Sequence, residues 1–127
     1  MYAFLDIFFV VFHGALILFI MIGWFWRRTR RLHLLVSSLT CLSWFGLGLF
    51  YGIGYCPCTD WHWRVKRARG ETGLPSSYVK YYLDRITGAD WDPILVGSIV
   101  ILAGLMALAI SILLNRRDRR HASQELR

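Results

Sequence analysis

Two thiols and an imidazole lie close together in the run Gly54-Tyr55-Cys56-Pro57-Cys58-Thr59-Asp60-Trp61-His62-Trp63. Cys56, Cys58 and His62 would supply thiolate and imidazole donors, which suit zinc or copper. With a helix starting at Thr59, His62 stands one turn in and can lean back toward Cys58. A fourth ligand would come from Asp60 or from a second copy of the chain. The same residues have other uses. In an oxidising compartment Cys56 and Cys58 could pair through a tight ring. His62 could serve as an imperfect helix cap, or as an interfacial side chain between Trp61 and Trp63. One Cys-x-Cys with a nearby His is a weaker metal pattern than paired Cys-x-x-Cys units. The expectation is therefore no cofactor, with zinc or copper as the alternative.

Asp6 and His13 are the second pair with chemical potential. They lie seven residues apart, on one face of a helix, inside an apolar segment. Ionisable groups within a membrane are functional candidates by default. The competing reading puts Asp6 at the water interface and lets His13 hydrogen-bond a neighbouring helix. Haem needs two axial ligands at one depth, and His13 and His33 differ by roughly 20 Å along their helices. His62 and His121 fall on opposite sides, so no bis-His site forms within one chain. The sequence has no Gly-rich phosphate loop, paired carboxylates in a cleft or Ser-His-Asp set. Thioredoxin-like chemistry prefers Cys-x-x-Cys. No enzyme and no catalytic residue is expected. A transporter of three spans would have to oligomerise, with Asp6 and His13 lining its path.

The elements that carry these residues follow from composition. Of 127 residues 56% are hydrophobic and 16% aromatic, with a formal charge of +7. A soluble chain this short could not hide so much apolar surface. The sequence predicts an all-α integral membrane protein, one membrane domain with three transmembrane helices over 2–26, 32–54 and 92–115. A loop over 55–91 carries two short amphipathic helices, and a basic tail covers 116–127 and is expected to fray. A cleaved signal peptide fits the first segment poorly, because it lacks a basic start and a small-x-small cleavage site. Trp24 and Trp26 sit where an interfacial aromatic belt belongs.

Charge placement sets the orientation. Arg27, Arg28, Arg30 and Arg31 form one cluster; Arg116, Arg117, Arg119 and Arg120 form another. Each abuts an apolar run, where basic residues fix orientation and touch anionic headgroups. With three spans both clusters fall on one side, which predicts the N-terminus outside, the C-terminus in the cytoplasm and the central loop outside. No nucleic-acid module accompanies them, so nucleic acid is not an expected partner.

Gly48 and Gly52 have the small-xxx-small spacing that lets helices approach closely in lipid. The glycine-dense end of the second span could equally mark a bend or an unwound exit. Ala103, Ala107 and Ser111 offer a second small-residue face, and Cys41 reads as a small buried residue too far along its helix, by about 22 Å, to pair with Cys56. In the loop, one helix is predicted from Thr59–Asp60 to about Arg69. Another starts near Pro75-Ser76-Ser77, runs to Thr87 and stops at Gly88. Tyr78, Val79, Tyr82 and Ile86 would line one face of it, with Lys80 and Asp84 paired on another. Trp61, Trp63, Tyr78 and Tyr82 are candidate contacts with the membrane surface or a partner groove.

A His in the first span, Leu32-His33 ending an Arg-rich turn, Cys56-Pro57-Cys58-Thr59 after the second span, and then Tyr78, Tyr81 and Tyr82 together resemble a family of small bacterial membrane proteins. That family is the domain of unknown function 2784, and the resemblance covers most of the chain. Its usual pattern is similar to Cys-Pro-Leu-Thr-x-x-Glu-x-x-x-Arg, in which Thr and Glu would form a capping box. Here Cys58 stands for the Leu, His62 for the Glu and Lys66 for the Arg. The resemblance brings no activity with it. The expected function is a non-catalytic accessory, structural or assembly subunit of a larger bacterial inner-membrane complex. It would touch lipid and either other membrane subunits or further copies of itself. The alternative is a Cys/His metal-binding or thiol-redox protein acting at the outer face.

Overall fold

The computed structural model describes all 127 residues and is all-helical, with 77% of the chain in helix and no strand. Five helices follow in order: α1 Tyr2–Ile22, α2 Arg30–Tyr51, α3 Pro57–Ala68, α4 Tyr78–Thr87 and α5 Pro93–Glu125. Of these, α1, α2 and α5 are long and apolar enough to cross a membrane, with mean hydropathies of 2.5, 1.6 and 2.6 over their best windows. At 1.5 Å per residue, α1 measures about 31 Å, the thickness of the hydrocarbon layer.

The hairpin between α1 and α2 is tied by polar groups at one membrane surface. Thr29 Oγ1 donates to the Gly23 carbonyl at 2.6 Å, and Arg30 Nε donates to the Trp24 carbonyl at 3.0 Å. Fully buried His33 places Nε2 at 2.8 Å from the Ile20 carbonyl, so that nitrogen carries the proton and donates. The first helix accordingly stops at Ile22, and Trp24 and Trp26 sit in the turn rather than in the span.

The buried positions of α2 are His33, Ser37 and Cys41; those of α5 include Gly104, Ala107, Ser111 and Asn115. The two helices run antiparallel and pack together along these stripes. Lipid tails compete with apolar side chains on equal terms, so close approach of small residues decides such pairings. The closest approach is at Gly104, where an added Cβ would stand 2.6 Å from the Trp44 ring.

Gly48 and Gly52 have a different use from interhelical packing. A Cβ at Gly48 would meet Ile53 Cα of its own segment at 3.1 Å, and Gly52 is exposed with φ of +107°. The bend reading is therefore the one realised. A π-helical turn over Ser43–Leu47 widens α2. The chain then folds back so that Gly54 N–H donates to the Trp44 carbonyl at 3.1 Å, and Ser43 Oγ donates to the Tyr55 carbonyl at 2.9 Å.

The tail does not fray at Asn115, as the sequence suggested. The last helix continues to Glu125. Arg30 donates through Nη1 to both Asp118 carboxylate oxygens at 3.0 Å, and Asn115 Nδ2 donates to the Arg30 carbonyl at 3.0 Å. These bonds hold the first polar turn of the tail against the start of α2, and helical propensity carries the rest.

Gly104→Val should force Trp44 out of its place and cost about 1–3 kcal/mol, the usual range for overpacking. A lower thermal midpoint in detergent would register it. Gly97→Ala, whose Cβ meets open space, should leave the midpoint unchanged or slightly raised.

Candidate functional site

Helices α3 and α4 form a cap at the end of the bundle that holds the N-terminus, with α3 packed against α1. Pro57 occupies the first turn and extended Cys56 is the N-cap, so α3 starts two residues before the predicted Thr59. The fixed φ of proline suits that position, where its missing N–H is of no consequence. In α4, Ser77 Oγ accepts from Lys80 N–H at 3.3 Å, and Gly88, with φ of +70°, closes the helix as its sequence predicted.

The cap has a small core of its own. Trp63, Tyr78 and Tyr81 are buried together, with Ile17, Leu74 and Tyr82 packed around them. Trp63 Nε1 donates to the Pro75 carbonyl at 2.6 Å, closing the α3–α4 connection. Trp63 and Tyr78 are thus interior residues, not partner contacts. Of the aromatic set proposed for an interface, Trp61 is exposed at 55% and Tyr82 is half-buried. The face of α4 also differs from expectation, because Ile86 is 82% exposed while Tyr81 and Lys80 turn inward. Tyr81 turns in because its hydroxyl reaches Glu71 at 2.6 Å, and Lys80 Nζ is taken up by Asp84 and by Asp90 at 2.7 Å.

At the centre of the contact between α1 and the cap stands Asp6, buried by the cap. His62 Nε2 lies 2.7 Å from its Oδ1, Lys66 Nζ lies 3.1 Å from the same oxygen, and Arg69 Nη1 binds Oδ2. The three donors fall at i, i+4 and i+7 on one face of α3 and the residue just beyond it. Lys66 also reaches Glu71 Oε1 at 3.3 Å, and Arg85 Nη2 reaches Glu71 Oε2 at 3.2 Å. A continuous network thus runs Asp6, Lys66, Glu71, Arg85.

His62 is 0% exposed, with its ring stacked near Phe9 at 5.5 Å and flanked by Trp63 and Tyr78. Burial pushes its pKa down and outweighs the hydrogen bond it makes to Asp6. The ring is therefore neutral at pH 7 and donates Nε2–H to the carboxylate. Its Nδ1 is buried with no hydrogen-bond partner, and so is Nδ1 of His13. His13 stacks on Tyr78 at 3.9 Å between centroids. Lys66 behaves oppositely: burial pulls its pKa down, but the hydrogen bond to Asp6 prevails and raises it. The Tyr81 hydroxyl, joined by Lys66, holds Glu71 below its ordinary value. The ion pairing with Asp6 therefore falls to Lys66 and Arg69, while His62 contributes a neutral hydrogen bond.

The predicted ligand set is not assembled in this arrangement. His62 faces Asp6, and no three His, Cys, Asp or Glu side chains converge at metal-ligand spacing. Cys41, Cys56 and Cys58 are free. Burial raises the Cys58 pKa, with the neighbouring Cys56 adding to the shift, so at pH 7 it is a thiol. The residues missed from sequence are Lys66, Arg69, Glu71, Tyr81 and Arg85. A signal for the first two was present, since a basic stripe at i, i+4 and i+7 on a short helix pairs naturally with a lone acid in an apolar segment.

The family described as "Protein of Unknown function (DUF2784)" matches this chain over residues 3–116. No curated protein and no solved structure matches it.

Asp6→Asn should leave Arg69 without its counter-charge and Lys66 with Glu71 alone, and should weaken cap docking by about 3 kcal/mol, the lower end for a broken buried pair because Lys66 keeps one partner and Arg69 is partly exposed. Faster hydrogen exchange in α3, with α2 and α5 unchanged, would register it. A second expectation concerns pH. The folded His62 pKa lies below the unfolded value near 6.5, so below that pH the unfolded cap takes up protons the folded cap resists. Cap stability should fall as pH drops below about 6.5, and His62→Gln should flatten that slope in the same exchange measurement.

Proposed function

The chain belongs to the DUF2784 family, and from that premise we propose that it is a non-catalytic accessory or assembly subunit of a larger membrane complex. It is a membrane protein whose three spanning helices contact lipid. The membrane in this reading is the bacterial inner membrane, with the N-terminus and the cap outside and the tail in the cytoplasm. Support for the orientation is the gathering of both arginine clusters at the face opposite the cap.

One observation carries the subunit reading. The buried charged groups of the cap are bound to one another and to α1, whereas Trp61 of the cap and Phe50 and Tyr51 at the end of α2 are exposed. Saturated charges inside and large apolar side chains outside suit a surface that docks, with aromatic anchors of the kind that dominate interfaces. Gly48 and Gly52 support this by shaping the exit that presents those aromatics. A second reading, thiol chemistry at the outer face, is favoured by two free, partly exposed thiols, Cys56 and Cys58, two residues apart at the start of α3.

Native mass spectrometry of the protein taken from its own membrane in mild detergent separates the readings. The subunit reading expects a discrete larger assembly of fixed stoichiometry, weakened about tenfold or more by Trp61→Ala, and intact when Cys56 and Cys58 are both replaced by Ser. A free monomer or homo-oligomer carrying stoichiometric zinc or copper, lost in Cys58→Ser, would overturn it.

A further inference from the structure

At the end of the bundle away from the cap, the α1–α2 turn and the polar part of α5 enclose an open cleft of about 640 Å³. Arg27, Arg28, Arg31 and Arg119 line it, with Asn115 and Asp118 at its base. The acid does not cancel the basic charge, because Asp118 is engaged by Arg30 at 3.0 Å and by Arg27 at 3.6 Å. Arg28, Arg31 and Arg119 make no ion pair, so three guanidinium groups are free to converge on an anion. Guanidinium forks match the oxygens of a phosphate better than any other side chain.

The setting favours a lipid over a soluble anion. Asn115 is the last residue before the arginine run of α5, and Phe25 and Trp26 stand exposed beside Arg27. The cleft therefore opens at headgroup depth, and the adjoining ends of α1, α2 and α5 carry exposed Ile22, Leu32 and Leu113. Such a site offers arginines to a phosphate, while the apolar ends of the neighbouring spans are open to its acyl chains. We propose that this cleft is a binding site for the phosphodiester headgroup of one anionic phospholipid, held by Arg28, Arg31 and Arg119. The Arg30–Asp118–Asn115 bonds are the frame of the site: they fix the turn against α5 and so set the distance between its two walls. This goes beyond the subunit reading and does not depend on it.

Lipid titration in nanodiscs, read by native mass spectrometry, tests it with phosphatidylglycerol against phosphatidylcholine. One phosphatidylglycerol should be retained per chain. The triple variant Arg28→Gln/Arg31→Gln/Arg119→Gln should lose roughly a hundredfold in affinity, about fivefold per arginine, and Arg119→Gln alone about fivefold. The triple variant Arg116→Gln/Arg117→Gln/Arg120→Gln removes the same charge from residues of α5 that do not line the cleft and should change affinity by less than about twofold. Equal losses in both triple variants would mean diffuse attraction and overturn the site. Binding of inorganic phosphate in pure phosphatidylcholine discs, abolished by the cleft variant and without any phosphatidylglycerol preference, would assign the cleft to a soluble anion and overturn the lipid. Arg30 and Asp118 are left untouched in every variant, and circular dichroism with thermal melting confirms the fold. The single Arg119→Gln variant keeps the test valid if the cleft triple is unstable.

Discussion

The carboxylate of Asp6 is the interaction on which the cap end of this protein depends. It is the only charged carboxylate on a helix that is otherwise apolar but for His13, and a charge there is tolerable only when paired and hydrogen-bonded. All three of its donors come from α3 or the residue beyond it, His62, Lys66 and Arg69. One acid therefore fixes the rotation, the depth and the direction of the whole cap. The aromatic core of Trp63, Tyr78 and Tyr81 could form in the cap alone, but its contact with Ile17 of α1 requires the helix to be presented at that angle.

The opposite end uses the same logic with the signs exchanged. There Arg30 is the central group, and α5 supplies Asp118 and Asn115. Between the two clamps α2 and α5 meet through small residues, with Gly104 giving way to Trp44. Apolar side chains gain little by leaving lipid for one another. Polar bonds at the two surfaces, together with one close approach at the centre, are then sufficient to choose this arrangement among the many that three apolar helices could adopt. This explains why most large apolar side chains of the spans face outward without destabilising the fold.

The number of spans, the side shared by the arginine clusters and the limits of α4 were legible because each is a local property. Hydropathy over 20 or so residues identifies a span, and Ser77 and Gly88 cap a helix whatever surrounds it. What was not legible depends on pairing across the chain. His62 was read with its neighbours Cys56 and Cys58, but it belongs to Asp6, 56 residues earlier. Gly48 and Gly52 match a packing motif, yet spacing cannot distinguish a helix that approaches another from a chain that turns back on itself. Gly104 matched no motif and is the true contact. The tail looked frayed because its bond to Arg30 is invisible in a reading of composition.

Charge arithmetic within the cap explains why a histidine at position 62 is tolerated in full burial. With His62 neutral, the network of Asp6, Lys66, Arg69, Glu71 and Arg85 holds three positive and two negative groups, and the arginines Arg69 and Arg85 reach solvent. The buried part, Asp6 with Lys66, is then balanced. A protonated His62 would place a second positive charge beside Lys66 in a ring of Phe9, Trp63 and Tyr78 that offers no further anion. Asp6 already accepts from Lys66 and Arg69 and has no capacity to neutralise another cation. A neutral imidazole gives the carboxylate a third hydrogen bond without adding charge, and its flat face fills the gap between aromatic rings. The residue binds Asp6 through Nε2 and presents its flat faces to the aromatic rings, although its Nδ1 is left buried without a partner, and that combination ties the electrostatic clamp to the core of the cap.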